Sequence, residues 1–295
     1  MITILGGQGY IGSAYCRYLA SRDIPFRSLS RAQIDYSDKG TLLRFLRETR
    51  PEFLINAAGY TGIPNVDACE ENKAACHFGN AVLPGIVSEA CTLTATPWGH
   101  LSSGCIFTGK RAAGSGFNES DPPNFTFKQN NCSYYSGTKA LGEEILSTAT
   151  DCFIWRLRIP FDEYDHSRNY LSKMMRYSKI LDVENSLSHL RDFISATIAC
   201  WERRVPFGTY NVTNPGSVTT REVIALIQKS GICLREPAYF ASIAEFMATA
   251  ARTPRSNCVL DSGKLLATGI SLPEVHEALG TALSNWRQEP VGNLL

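Results

Sequence analysis

No stretch of the 295 residues stays apolar for long enough to cross a bilayer, which excludes a membrane-spanning helix. Neither sign of charge is in excess. Lys and Arg number 29 against 28 Asp and Glu, a formal +1, so the whole chain has no electrostatic reason to seek nucleic acid or an anionic membrane. Ten cysteines are present, yet there is no CxxC pair and no metal-ligand spacing to the five histidines, so no metal is expected. The opening Met1-Ile2-Thr3-Ile4-Leu5-Gly6 has no basic region followed by a long apolar stretch. These absences together predict a cytoplasmic chain whose thiols are reduced and mostly pack as small hydrophobes. With 44% hydrophobic residues and no internal repeat or low-complexity tract, disorder is excluded too.

What is present is an alternation of short apolar runs with helical periodicity. Strands are predicted at Ile2 to Leu5, Phe26 to Leu29, Phe53 to Ile55, Trp98 to Ser102 and Cys152 to Leu157. Helices are predicted at Tyr10 to Ser21, around Leu42 to Glu48, as one long stretch from Lys73 to Cys91, and at Tyr135 to Ser147. Gly109 to Asn131 reads as a long surface loop or lid. The pattern is that of an α/β protein with a Rossmann-like, doubly wound parallel sheet and a smaller α/β substrate-binding lobe. The expected division is 1–158 for the cofactor domain and mainly 159–295 for the lobe, part of which returns to the first domain.

Gly6-Gly7-Gln8-Gly9-Tyr10-Ile11-Gly12 sets glycines three apart after the first strand and at the start of a helix. That context supplies a tight turn, a close approach to a pyrophosphate, and free N–H groups that attract an anion, so Gly6, Gly9, Tyr10, Ile11 and Gly12 are cofactor-binding candidates. The second strand ends at Ser30-Arg31, where an acidic residue would be expected for NAD. Arg31 is either the partner of a 2′-phosphate, which favours NADPH over NADH, or a solvated side chain. Asp35 either touches the adenine edge or begins a turn. Asn56-Ala57-Ala58-Gly59-Tyr60 fits the strand end beneath the cofactor, and Asn80 the helix that supports it.

Tyr135 and Lys139 lie four apart on one helix face, where the ammonium would lower the phenol pKa and hold the nicotinamide ribose while the phenol protonates a carbonyl. A hydroxyl in Ser102-Ser103 lies upstream. Together with the glycine turn, these residues form a carbonyl-reducing set.

Several strings carry a resemblance. They are Asn56 to Asp67, Gly104-Cys105-Ile106-Phe107, Pro123-Asn124-Phe125, Arg156-Leu157-Arg158-Ile159-Pro160, Arg168-Asn169-Tyr170, Tyr210 to Gly216 and Pro254-Arg255-Ser256-Asn257. Over nearly its whole length the chain resembles the extended short-chain dehydrogenases/reductases of the dTDP-4-dehydrorhamnose reductase branch. More closely, it is similar to the bifunctional plant-type nucleotide-rhamnose epimerase-reductases. The resemblance implies a nucleotide-diphosphate sugar as substrate, NADPH as hydride donor, and Ser103, Tyr135 and Lys139 as the reducing set. It also implies Cys105 and Lys173 as base and acid of a 3,5-epimerisation, with Asn65, Cys105, Asn169, Arg255 and Asn257 touching substrate. A thiolate at Cys105 would have its pKa lowered by the Lys173 ammonium. Homodimers are frequent in that family, and no motif here specifies an interface. Ser103 stands where the family usually has Thr, and the loop after Thr108 differs in length and charge, with Lys110-Arg111. Two alternatives stay open: a reductase that accepts only an already epimerised 4-keto sugar, and a non-catalytic cofactor-binding subunit.

Overall fold

The computed structural model describes residues 1–63 and 65–288. Five strands, β1 (Ile2–Leu5), β2 (Phe26–Leu29), β3 (Phe53–Asn56), β4 (Trp98–Ser103) and β5 (Cys152–Leu157), join the edge strand Gly208–Asn211 in one sheet. All pairs are parallel, in the order β2-β1-β3-β4-β5-edge strand. The chain leaves β1 for β2 and then crosses back to β3. That reversal opens a crevice at the carboxyl ends of β1 and β3, where ligands of such sheets bind.

The central strands β1 and β3 are apolar on both sides because both faces are covered. Ile2, Ile4, Phe53 and Ile55 face one core together with Tyr15 and Leu19 of α1 (Tyr10–Ser21) and Phe193 and Ile194 of α8 (Leu190–Glu202). The alternate residues Leu5 and Leu54 face the other, against Leu42 and Leu46 of α2 (Lys39–Thr49) and Val87 of α5 (Leu83–Thr94). A buried bond between the Tyr15 hydroxyl and Thr197 (2.6 Å) ties α1 to α8. The edge strand and α8 thus lie with the cofactor sheet although they follow residue 159.

The expected helical stretch from Lys73 to Cys91 is unbroken, but its winding changes along the way. It forms α4 (Lys73–His77), a π turn at Phe78–Val82, and then α5. A short α3 (Ala68–Glu71) precedes it. The extra residue of the π turn falls where Asn80 turns its side chain out of the helix onto Tyr60, a local demand that periodicity does not report. The second lobe builds its own core from Leu171 and Met174 of α7 (Tyr170–Arg176), Val223 and Ile227 of α9 (Thr220–Lys229), and Val275 and Leu279 of the helix Val275–Ser284. Where the chain passes between lobes, buried His189 stacks on Phe161 and sits 2.9 Å from Asp192 and 3.6 Å from Glu163.

The segment after Thr108 is not a free lid. Bridges pair Gly109 with Cys258 and Phe117 with Leu260, and Phe107 stacks on Phe117. It also covers the sheet edge. The Val212 amide bonds inward to Arg156 (2.9 Å), so the odd-numbered groups of the edge strand face outward. Of these, the Asn211 amide donates to Glu119 (2.7 Å), and the Thr209 carbonyl accepts from the Lys264 ammonium (2.7 Å).

Candidate active site

At the crevice the glycine turn is as tight as its sequence suggests. Gly6 has φ +77°, and a Cβ there would lie 2.8 Å from the Ala58 backbone, while a Cβ on Gly12 would lie 2.2 Å from the Gly6 carbonyl oxygen. The register Leu5↔Asn56 sets the turn beside the end of β3. The Ser13 amide closes the first bond of α1 on the Gly9 carbonyl (2.7 Å), so the Ile11 and Gly12 amides lie outside the helical ladder. Gly9 is less crowded but still close, an added Cβ lying 3.3 Å from the Gly6 carbonyl oxygen. A cradle of backbone N–H groups without side chains in the way fits a dinucleotide pyrophosphate. Tyr10 is turned to the other lobe, its hydroxyl donating to Asp162 (3.2 Å) and its ring stacked on His166. Arg31 is exposed at the end of β2, and the Asp35 carboxylate accepts from the Ser37 amide (3.1 Å), the turn-forming alternative of its two readings.

Below the crevice, the buried Asn56 carbonyl oxygen accepts from the Ala58 amide (3.1 Å), and its amide nitrogen lies 3.2 Å from His100 Nδ1. Burial, aided by the Lys139 charge, holds His100 well below its usual pKa, so the imidazole is neutral. Asn80 accepts from the Tyr60 amide (2.9 Å) and donates to the Tyr60 carbonyl (2.8 Å) and to Thr138 (3.2 Å).

α6 (Tyr134–Ile145) carries Tyr135 and Lys139 on one face. Its first turn is capped by Ser133, whose hydroxyl accepts from the Ser136 amide (3.2 Å). Buried Lys139 donates to the Leu101 carbonyl of β4 (3.1 Å). Two residues on, at the end of β4, Ser103 Oγ accepts from the Cys105 amide (3.2 Å). Cys105 sits in a single 3₁₀ turn, Gly104–Ile106, and packs in a small cluster with Phe107 and Leu260, to which Tyr135 is joined. Ser103, Cys105, Tyr135 and Lys139 are therefore brought together.

Their electrostatics differ from the expectation. Burial, then the neighbouring Cys105, push the Tyr135 phenol well above its usual value, with the Ser103 hydroxyl offsetting part of the rise. The net shift is thus upward rather than the expected lowering, and burial brings the Lys139 pKa down as well. The Cys105 thiol is likewise raised by burial, against lowering contributions from Ser103, Ser136, Arg158 and Lys139. Lys173 lies on a different element. Its ammonium, half-buried on α7, is lowered by burial and by Arg168, and makes no ion pair with a carboxylate among the described residues. The net effect on the Cys105 thiol is thus a rise, opposite to the expected lowering, because burial dominates it.

Other predicted contacts divide. Asn169 is fully buried and spent on structure: its amide nitrogen lies 2.7–2.9 Å from Asp162 and Tyr164 oxygens, and its Oδ1 caps α7 at the Leu171 amide (3.0 Å). It has no donor left for a substrate, which corrects the expectation. Asn65 is exposed and accepts from the Asp67 amide (2.8 Å), while Arg255 pairs with Asp67 (2.7 Å) on the same rim. Asn257 is half-buried, its carbonyl accepting from Gly109 (2.6 Å). Residue types and spacing gave no weight to Glu70, which bonds the first residue of α6, nor to Arg158. Buried Arg158 donates to Asn185 (2.6 Å) and the Ser256 carbonyl (2.5 Å), and an arginine closing the apolar run of β5 was the one available signal.

A glycine cradle at the switch point, with Ser, Tyr and Lys converging beside it, defines a Rossmann-like chain of the short-chain dehydrogenase/reductase type. The chain belongs to the RmlD substrate binding domain family, which it matches over residues 1–288. It is 30% identical over 284 residues to the bifunctional dTDP-4-dehydrorhamnose 3,5-epimerase/dTDP-4-dehydrorhamnose reductase of Arabidopsis thaliana, covering 94% of this chain and 90% of that protein. To the trifunctional UDP-glucose 4,6-dehydratase/UDP-4-keto-6-deoxy-D-glucose 3,5-epimerase/UDP-4-keto-L-rhamnose-reductase RHM3 of the same plant it is 32% identical over 269 residues. That match takes in 89% of this chain but 39% of the relative, so the chain spans well under half of the trifunctional protein. The crystal structure of the L780 UDP-rhamnose synthase from Acanthamoeba polyphaga mimivirus superposes with a TM-score of 0.88 at 25% identity, covering 96% and 98% of the two chains. The dTDP-4-dehydrorhamnose reductase of Bacillus anthracis, solved in complex with NADP, shares the fold with a TM-score of 0.81 at 21% identity and the same coverage.

Proposed function

We propose that this chain is an epimerase-reductase that converts an NDP-4-keto-6-deoxyhexose to an NDP-6-deoxy-L-hexose such as NDP-L-rhamnose, using NADPH. The observation that carries the reading is the convergence of Ser103, Cys105, Tyr135 and Lys139 at the end of β4, beside the glycine cradle. The bifunctional relative from Arabidopsis and the NADP complex of the bacterial reductase support it. The pyrophosphate would rest on the Gly6 to Gly12 turn, Arg31 would meet the 2′-phosphate, and Asn56 to Tyr60 would line the cradle floor. When bound, the nicotinamide supplies a hydride to C4. Tyr135, held protonated by burial, donates its proton to the C4 oxygen, and Ser103 hydrogen-bonds the same atom. Lys139 completes the set from the next turn of α6.

For epimerisation, the Cys105 thiolate takes a proton from C5 or C3, leaving an enolate conjugated to the C4 ketone, and an acid on the opposite ring face returns a proton with inversion; Lys173 is the candidate acid. No redox change is involved. The cations that favour the thiolate at rest are Arg158 and Lys139.

A second reading, reduction without epimerisation, is favoured by that same raised thiol. Incubation with NADPH and the unepimerised 4-keto-6-deoxy nucleotide sugar in deuterated water, as UDP and dTDP forms in turn, separates the two. Deuterium at C3 and C5 of the product supports the epimerase-reductase. Turnover of only a pre-epimerised ketone leaves the reductase. Tight NADPH binding with no oxidation by any keto sugar would reduce the chain to a cofactor-binding subunit.

A further inference from the structure

The turn that follows the crevice strand carries three acidic residues, and each holds a neighbour on the segment 252–255. Arg255 donates to Asp67 (2.7 Å), Thr253 to Glu70 (2.7 Å) and Arg252 to Glu71 (2.8 Å). The Arg252–Glu71 pair is solvent-exposed and contributes little. The inner contacts are sheltered, with Thr253 fully buried.

Glu70 does something its neighbours do not. The Oε1 that accepts from Thr253 also accepts, at 2.8 Å, from the amide of Tyr134, the first residue of α6. That amide is among the N-terminal donors a helix cannot satisfy within its own ladder, and Ser133 spends its side chain on Ser136. A carboxylate is electrostatically favoured at this end of a helix. One oxygen on α3 therefore links a buried hydroxyl of the segment that bears Arg255 to the residue next to Tyr135. The same loop is held from another direction, where Arg168 donates to Thr61 (2.5 Å) and the Gly62 carbonyl (3.1 Å).

We propose that Glu70 is a positioning residue that couples the docking of segment 252–255 to the placement of the Tyr135 phenol. This rests on the reading of Tyr135 as proton donor. Arg255, a candidate substrate contact, sits on the docked segment, so grip on the substrate and alignment of the proton donor share one linkage.

The test compares Glu70→Ala, Glu70→Gln, Thr253→Val and the Glu70→Ala/Thr253→Val double variant by keto-sugar reduction, NADPH fluorescence titration and amide hydrogen exchange across the first turn of α6. Glu70→Ala is expected to lower kcat about tenfold with NADPH affinity unchanged, since small misplacements of a reacting group are costly. Glu70→Gln, whose amide oxygen accepts both bonds, should restore kcat to within about twofold of wild type. The double variant should be no slower than Glu70→Ala, because both changes break one linkage. Thr253→Val should speed exchange at the Tyr134 amide even though that amide keeps its own acceptor. Wild-type exchange in Thr253→Val, or losses that add in the double variant, would overturn the proposal. If the wild-type chain reduces no keto sugar, the functional reading falls, and the exchange comparison still decides the coupling.

Discussion

Asn80 bonds Tyr60 as a neighbouring strand would, accepting from its amide at 2.9 Å and donating to its carbonyl at 2.8 Å. The side chain thereby extends the order of β3 past its last ladder bond, along the floor of the cradle. Asn80→Ala leaves both Tyr60 groups without that partner. Destabilisation of about 1–3 kcal/mol by urea unfolding is expected. NADPH affinity should also fall; unchanged affinity in fluorescence titration would detach Asn80 from the cofactor site.

Tyr135 is held protonated by burial and by Cys105. A proton donor with a raised pKa keeps its proton as pH climbs, so kcat for reduction should stay level up to about pH 10. Tyr135→Phe should cost between about a hundredfold and ten-thousandfold in kcat while leaving thermal stability near wild type. A loss of activity centred near neutral pH would show that another group supplies the proton.

The Cys105 prediction has the opposite sign. Because the thiol is raised, the thiolate needed for exchange is scarce at neutral pH and grows as pH rises. Deuterium incorporation at C3 and C5 should therefore increase about tenfold per pH unit across the mildly alkaline range, while reduction does not. Cys105→Ala should abolish incorporation and leave reduction of a pre-epimerised ketone measurable. Exchange that is flat with pH would remove Cys105 as the base.

His189 makes a pH prediction for stability. Burial disfavours its imidazolium, but the hydrogen bond to Asp192 and the charges of Asp192 and Glu163 outweigh this and raise the pKa from 6.5 to about 9. A group raised on folding stabilises fully below its unfolded pKa and loses that contribution as pH rises through the folded one. Unfolding free energy should therefore decline between about pH 6.5 and about pH 9, by on the order of 3 kcal/mol. His189→Gln should flatten that slope in urea titrations at both ends of the range.

The parts legible from sequence were local. β1, β3 and β5 are buried and mostly apolar because helices cover both faces, and the turn after β1 is marked by glycines that must lie close to backbone. Tyr135 and Lys139 are four apart on a helix, and Ser103 and Cys105 two apart at a strand end, so their convergence needed only the strand order. The edge strand Gly208–Asn211 was harder. Gly-Thr-Tyr-Asn has no apolar run, and its place is set by pairing with β5 across a long excursion. Long separation also hid the partner of Arg255, which faces Asp67, while Asn169 turns onto Asp162 only seven residues back, within an irregular loop that has no periodicity to read. For Lys173 the spacing from Cys105 carried no distance, and burial decides the thiol's ionisation.

The covering of that edge strand bears on how copies of this chain can meet. Two of the outward backbone groups of Gly208–Asn211 are already taken by Glu119 and Lys264. A parallel sheet with an open flank is a template on which another molecule's strand can be laid, and here the template is blocked by the protein's own side chains. Glu119→Ala together with Lys264→Ala would unveil it, turning an inert flank into an adhesive one.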